Sequence, residues 1–118
     1  MANPNIVNVT TIYGNTFGMA MTTATANIVS NPSGSGVVYK INSLTAANIN
    51  TVAGSVSCEF NNGGSNTYIA RNIVVPSSAT LVVIAKDTSI YLTENTSIQV
   101  TSSANTVIHA TASWEQIS

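Results

Sequence analysis

The stretch Ser55-Val56-Ser57-Cys58-Glu59-Phe60, Asn61-Asn62-Gly63-Gly64-Ser65-Asn66, Thr67-Tyr68-Ile69-Ala70-Arg71-Asn72-Ile73-Val74-Val75 reads as two strands joined by a hairpin loop. The flanks mix β-branched and aromatic residues, which suit a pleated sheet. The centre is Asn and Gly, which tolerate the positive φ that hairpin loops demand. Pro76-Ser77-Ser78 ends the second strand. Upstream, Val37 to Thr45 alternates, with Val37, Tyr39 and Ile41 on one side and Val38, Lys40 and Asn42 on the other. Asn31-Pro32-Ser33-Gly34-Ser35-Gly36 before it is a loop. Earlier still, Ile6 to Tyr13, a weaker Thr16 to Met21 flanked by Gly14 and Gly18, and Ala24 to Val29 read as three strands. Ala46 to Val52 fits either a helical turn or a crossover between sheets. Downstream, the continuous apolar run Thr80 to Lys86 suits a strand deep in a sandwich. Ser89 to Leu92, Ser97 to Thr101 and Thr106 to Trp114 complete the set, the last with Ile108, Ala110, Ala112 and Trp114 toward the core.

Short strands with turn signals every 8 to 12 residues or so mark a sandwich or small barrel. The reading is an all-β chain: a single compact antiparallel β-sandwich, jelly-roll or immunoglobulin-like, of about 8–10 short strands. Residues 1–5 form an N-terminal arm and residues 6–118 the domain. No internal repeat or linker divides the chain.

Composition sets the limits on function. Only 6% of the 118 residues are charged, while 44% are hydrophobic; soluble domains usually carry about 25% charge. Small polar residues fill the gap, with 16 Thr, 15 Ser and 15 Asn. Among branched aliphatics, 13 Val and 12 Ile stand against 3 Leu, which again favours strands. Three cations cannot neutralise a phosphate track, so no nucleic acid is expected as a partner. There is no basic amphipathic helix, and the longest apolar run, Leu81 to Ala85, is far short of a spanning helix, so no membrane is expected either. Met1-Ala2-Asn3-Pro4-Asn5 lacks a signal-peptide pattern, which predicts use without Sec-type export.

Catalysis finds few candidates. Metal sites need converging His, Cys, Asp or Glu, and here one His109 and one Cys58 stand 51 positions apart. A nucleophile would need activation by His109 and an orienting carboxylate, with no Gly-x-Ser-x-Gly to carry it. Asp87 and Glu94 are better read as turn residues than as a glycosidase pair. Gly63-Gly64 has no following Lys-Ser/Thr and is no phosphate loop. The expectation is a protein that is not an enzyme and has no cofactor and no metal.

The scarcity of charge also points somewhere. Such a β-domain has little protection against edge pairing. A Ser, Thr, Asn and Ala surface is easily desolvated and has little side-chain entropy to lose. Both features suit life in a symmetric assembly.

Several segments resemble small virion structural proteins of tailed bacteriophages, especially phages of marine bacteria: Asn5-Ile6-Val7-Asn8-Val9, Val38-Tyr39-Lys40-Ile41-Asn42-Ser43-Leu44, Ile73-Val74-Val75-Pro76, Leu81 to Leu92, and Ser113-Trp114-Glu115-Gln116-Ile117-Ser118. The resemblance runs in order over most of the chain. It implies a β-sandwich that oligomerises, with trimers common among such proteins, and binds the particle. A capsid decoration or cement protein gripping the major capsid protein is the favoured form, located in the virion and made in the host cytoplasm. In that reading Asn3, Pro4 and Asn5 belong to a gripping arm, and Asn61, Asn62, Gly63, Gly64, Ser65 and Asn66 to an outward tip. Alternatives are a tail, collar or fibre-associated subunit and, from another class, a carbohydrate-binding or adhesive module. The adhesive module would show several aromatics exposed together beside Asn or Asp on one surface, and burial of Tyr13, Tyr39, Tyr68 and Tyr91 would remove it.

Overall fold

The computed structural model describes residues 11–118. Within these residues nine strands follow one another: β1 (Ile12–Ala20), β2 (Ala26–Asn31), β3 (Val38–Asn48), β4 (Gly54–Asn62), β5 (Ser65–Val75), β6 (Thr80–Ile84), β7 (Ile90–Leu92), β8 (Thr96–Ser102) and β9 (Ile108–Ile117). A single 3-10 turn, Lys86–Thr88, separates β6 from β7. One sheet has the order β1-β9-β3-β6, with β7 beside β6 on the same flank of β3; the other has the order β2-β8-β4-β5. All pairings are antiparallel.

The order follows one rule. β4 pairs with β5, β3 with β6 and β7, β2 with β8, and β1 with β9. Residues 11–118 are therefore one long hairpin, rolled so that successive strand pairs fall on alternate sheets. With β6 and β7 counted as one interrupted strand, this is a jelly roll, which decides between the two sandwich forms expected. The Ser55–Val75 segment is the apex of that hairpin.

The apex is tighter than its sequence suggested. Asn61 pairs with Asn66 and Asn62 with Ser65, which leaves only Gly63-Gly64 as the turn. Both glycines have positive φ, 68° and 123°, as a two-residue hairpin turn requires. The six-residue tip expected at Asn61 to Asn66 is therefore mostly strand.

Between the sheets lie Ile28, Val29, Ile41, Leu44, Ala46, Val56, Cys58, Val75, Ile84, Leu92, Ile98, Val100, Ile108, Ala110 and Ala112, all buried. Ile108, Ala110 and Ala112 face inward as their alternation predicts, and Trp114 packs half-buried against them. In β3 the expected alternation holds only to Ile41. A bulge at Asn42 shifts the register, so Ile41 and Leu44, three apart, both point into the core. Val38, assigned to the polar side with Lys40, is itself buried, while Tyr39 is half-buried.

Three other expectations are corrected. Gly14 and Gly18 do not interrupt a strand: β1 runs unbroken through both, because neither takes a positive φ and an extended glycine breaks no ladder bond. Tyr13 and Thr16, placed on separate strands, thus share one. The rest of the expected first strand, residues 6–10, and the arm residues Asn3, Pro4 and Asn5 lie outside the described residues. The second correction concerns Thr80 to Lys86. β6 stops at Ile84 and is a flank strand of its sheet, paired among the described residues only with β3, and Val82 is 57% exposed. Its apolar run is ambiguous because one face meets the core while the other meets solvent. Third, Asn31 is not a loop residue. It ends β2 and is buried, with its amide donating to the carbonyls of Val37 (3.0 Å) and Leu92 (2.9 Å). Asn48 does the same at the opposite end, donating to Val52 (3.0 Å) and Val75 (2.9 Å) and accepting from the Asn50 N–H. The segment around Ala46 to Val52 is thus the end of β3 followed by a crossover to the other sheet, pinned by a buried amide.

Candidate assembly surfaces

The register assigns each strand residue to a face. On the outer face of the β1 sheet run rows of small side chains: Thr16, Ser113 and Ser43, then Gly18, Thr111 and Thr45, then Ala20, His109 and Ala47. Gly14, Glu115, Lys40 and Tyr91 form the neighbouring row. The outer face of the other sheet is amide and hydroxyl-rich. Thr25 and Thr101 share a hydrogen bond of 2.8 Å, and the Asn61 amide donates to Asn66 at 2.6 Å. Glu59 stands opposite Gln99 and Tyr68, and the Arg71 guanidinium sits 5.2 Å from the Tyr68 ring centroid.

The flank strands differ in how they are protected. β2 is six residues long, bulged at Ile28, and followed at once by Pro32. β5 slips register twice against β4, and Asn72 within it takes φ 50°. The β6–β7 flank is cut by the Lys86–Thr88 turn with its Lys86 and Asp87. β1 has none of these devices. It pairs residue for residue with β9 from Ile12↔Ile117 to Ala20↔His109, without a shift. It carries no charge and no proline, and Ile12, Tyr13 and Phe17 are 54%, 59% and 48% exposed.

Hydrogen bonding shows which β1 groups face away from β9. Thr11 and Ser118 exchange both backbone bonds (3.1 and 3.0 Å), and the Met21 N–H donates to the Ile108 carbonyl at 2.8 Å. In an antiparallel ladder such bonded pairs alternate with non-bonded ones. Tyr13, Asn15, Phe17 and Met19 therefore turn their N–H and C=O groups to β9. Ile12, Gly14, Thr16, Gly18 and Ala20 turn theirs outward.

The expected catalytic candidates are separated. Cys58 faces the core from the β4 sheet, and burial, with Glu59 adding repulsion, pushes its thiol up to about 12. His109 is exposed on the outer face of the β1 sheet, beside a shallow depression of about 300 Å³ lined by Gly18, Met19, Ala20, Ala110 and Thr111. Among the described residues no three of His, Cys, Asp and Glu converge as metal ligands would. Glu94 caps a turn, its Oε1 accepting from the Gly34 N–H at 2.9 Å. The sharp turn at Asp87 is closed by Thr88, whose hydroxyl donates to the Ala85 carbonyl at 3.1 Å. Among the expected tip residues, Asn62 to Asn66 are exposed and Asn61 is half-buried. Sequence reasoning overlooked β1 as a surface because Gly14 and Gly18 looked like breakers; its lack of charge was the available signal.

No family model and no curated protein matches this sequence. Among solved structures, the chain is similar to a Bacillus endospore appendage of a family of disulfide-linked pili, with TM-score 0.55 and 15% identity, over 92% of this chain and 87% of that one. At that identity the likeness is one of fold. A looser match, with TM-score 0.44 and 16% identity, covers 86% of this chain and 60% of a pentameric capsid protein isolated from metagenomic phage sequences.

Proposed function

We propose that this chain is a structural, non-catalytic subunit of a phage virion, and most specifically a capsid decoration or cement protein that self-associates and binds the major capsid shell. One observation carries the reading: β1 presents nine regular, uncharged, partly apolar residues along a sheet edge that is open among the described residues. A protein that stays a lone monomer guards such an edge. The jelly roll suits the role, since it recurs in viral capsid domains, although a fold alone assigns no function. The segment resemblance implies the phage context and a trimer as one closed form.

Two other readings fit less well. A pilus subunit joined by disulfides needs an accessible thiol, and the one cysteine of this chain, Cys58, is buried. An adhesive module needs grouped aromatics. Tyr13, Tyr68 and Tyr91 are exposed, but on the β1 edge, the outer face of the β5 sheet and the outer face of the β1 sheet, respectively. The remaining competitor is a tail, collar or fibre-associated subunit. Quantitative mass spectrometry of purified particles tests the proposal. Hundreds of copies per particle support the shell, about a dozen or fewer the tail, and absence from particles overturns the virion reading.

A further inference from the structure

We infer that the open β1 edge pairs with β1 of a second copy of this chain, antiparallel about a two-fold axis through Thr16. The inference rests on the self-association proposed above and gives it a two-fold contact, in place of the trimer that the segment resemblance implies. The outward-facing backbone groups are those of Ile12, Gly14, Thr16, Gly18 and Ala20. A two-fold through Thr16 sets Ile12 against Ala20 of the second copy, Gly14 against Gly18, and Thr16 against its own equivalent. Every one of these partners presents an outward N–H and C=O, so the bonded pairs of an antiparallel ladder are complete in one register. The same axis keeps side chains on their own faces. Tyr13 then lies opposite Met19, an aromatic–sulfur contact, and Asn15 opposite Phe17. Tyr13 and Phe17, which are exposed on the inner side of the sheet edge, gain cover.

The occupant is a second copy for two reasons on this strand. Self-complementary pairing is what a two-fold contact requires. β1 also has no charge, so two copies meet without the like-charge repulsion that ordinarily blocks such pairing. The glycines at 14 and 18 leave room at the crossing: a Cβ at Gly14 meets nothing within 4 Å.

Cysteine cross-linking tests the register. Bonded antiparallel pairs hold Cα atoms about 5.5 Å apart, within the span of a disulfide. Thr16→Cys is therefore expected to give a covalent dimer under mild oxidation, whereas Ala20→Cys alone gives none. Ile12→Cys and Ala20→Cys, mixed, are expected to cross-link to each other. Buried Cys58 contributes no background in the folded protein. In parallel, Thr16→Pro removes only an outward N–H. It is expected to stay folded, with a thermal midpoint that no longer rises with protein concentration, while light scattering shows the dimer lost. If wild type associates but Thr16→Cys does not cross-link and Thr16→Pro still associates, the β1 contact is wrong and self-association runs through another surface. If wild type is monomeric at high concentration, self-association itself is overturned.

Discussion

β1 and β5 are the two long flank strands of the molecule, of nine and eleven residues, and they solve the same problem in opposite ways. Both expose large apolar groups: Ile12, Tyr13 and Phe17 on one, Tyr68, Ile73 and Val74 on the other. β5 is kinked by its register slips, holds Asn72 in a left-handed conformation, and sets Arg71 over Tyr68. β1 is straight in register and uncharged. Exposed hydrophobicity therefore does not distinguish a guarded edge from an open one. Regularity of the free backbone groups does, since a partner strand must match several of them in sequence.

The sharpest way to break the comparison is to ask whether the two sides of β1 differ. Phe17→Pro removes an N–H that faces β9 and orphans the carbonyl of Ala112, so a loss on the order of 3 kcal/mol is expected. Thr16→Pro, one residue away, is expected to cost less than about 1 kcal/mol, because its N–H faces outward. Urea denaturation of the two variants checks this. Equal losses would show that the outward groups are wrongly assigned. For β5 the corresponding anchor is Asn48, whose amide holds the Val75 carbonyl at the strand's end and the Val52 carbonyl in the crossover. Asn48→Ala leaves both without that donor, and a loss of about 2–3 kcal/mol is expected in the same assay.

Much of this was legible in the residues and some was not. The apex hairpin announced itself because Gly63-Gly64 is chemically unlike its flanks, and the inward Ile108, Ala110 and Ala112 followed from plain alternation. Alternation failed at Asn42, where a bulge inserts one residue and reverses the faces; nothing in Ile41-Asn42-Ser43-Leu44 marks that position. The reading of Thr80 to Lys86 as a deep strand failed at Val82, because an apolar run has the same pattern in a flank strand as in a central one. Asn31 and Asn48 were hidden among fifteen asparagines. A buried amide that satisfies two carbonyls differs from a surface one only in tertiary context. The open edge was missed for a related reason. Gly14 and Gly18 break a strand only when their φ turns positive, which composition does not reveal.

Cys58 lies on β4 beside β5, opposite Ala70, and reports how well that edge is closed. Its thiol is held above its ordinary value of 9.0, at about 12, first by burial and then by the Glu59 charge. The folded state thus keeps a proton that the unfolded chain loses. The contribution is fully present below about pH 9 and disappears as pH rises toward 12. Within that window wild-type stability is expected to fall by up to about 1.4 kcal/mol per pH unit relative to Cys58→Ala. Denaturation of the two proteins between pH 9 and pH 11 measures the difference. Parallel curves would mean that the thiol reaches solvent through an opening β5.

The smallest expected effect concerns the kink itself. Asn72 has φ 50°, its N–H donates to the Ser57 hydroxyl at 3.0 Å, and that hydroxyl donates back to its side chain at 3.3 Å. Glycine adopts this conformation freely, so Asn72→Gly is expected to be nearly neutral. Asn72→Ala adds a Cβ in the left-handed region and is expected to cost about 1 kcal/mol. Between Val56↔Ile73 and Cys58↔Ala70 the β5 side holds one more residue than the β4 side, so deleting Asn72 equalises the two and straightens that stretch. If regularity opens an edge, the deletion placed in a Thr16→Pro background restores weak, concentration-dependent association that light scattering detects. A deletion variant that stays folded and strictly monomeric would mean that Arg71 guards β5 by charge and that the kink serves only the packing against β4.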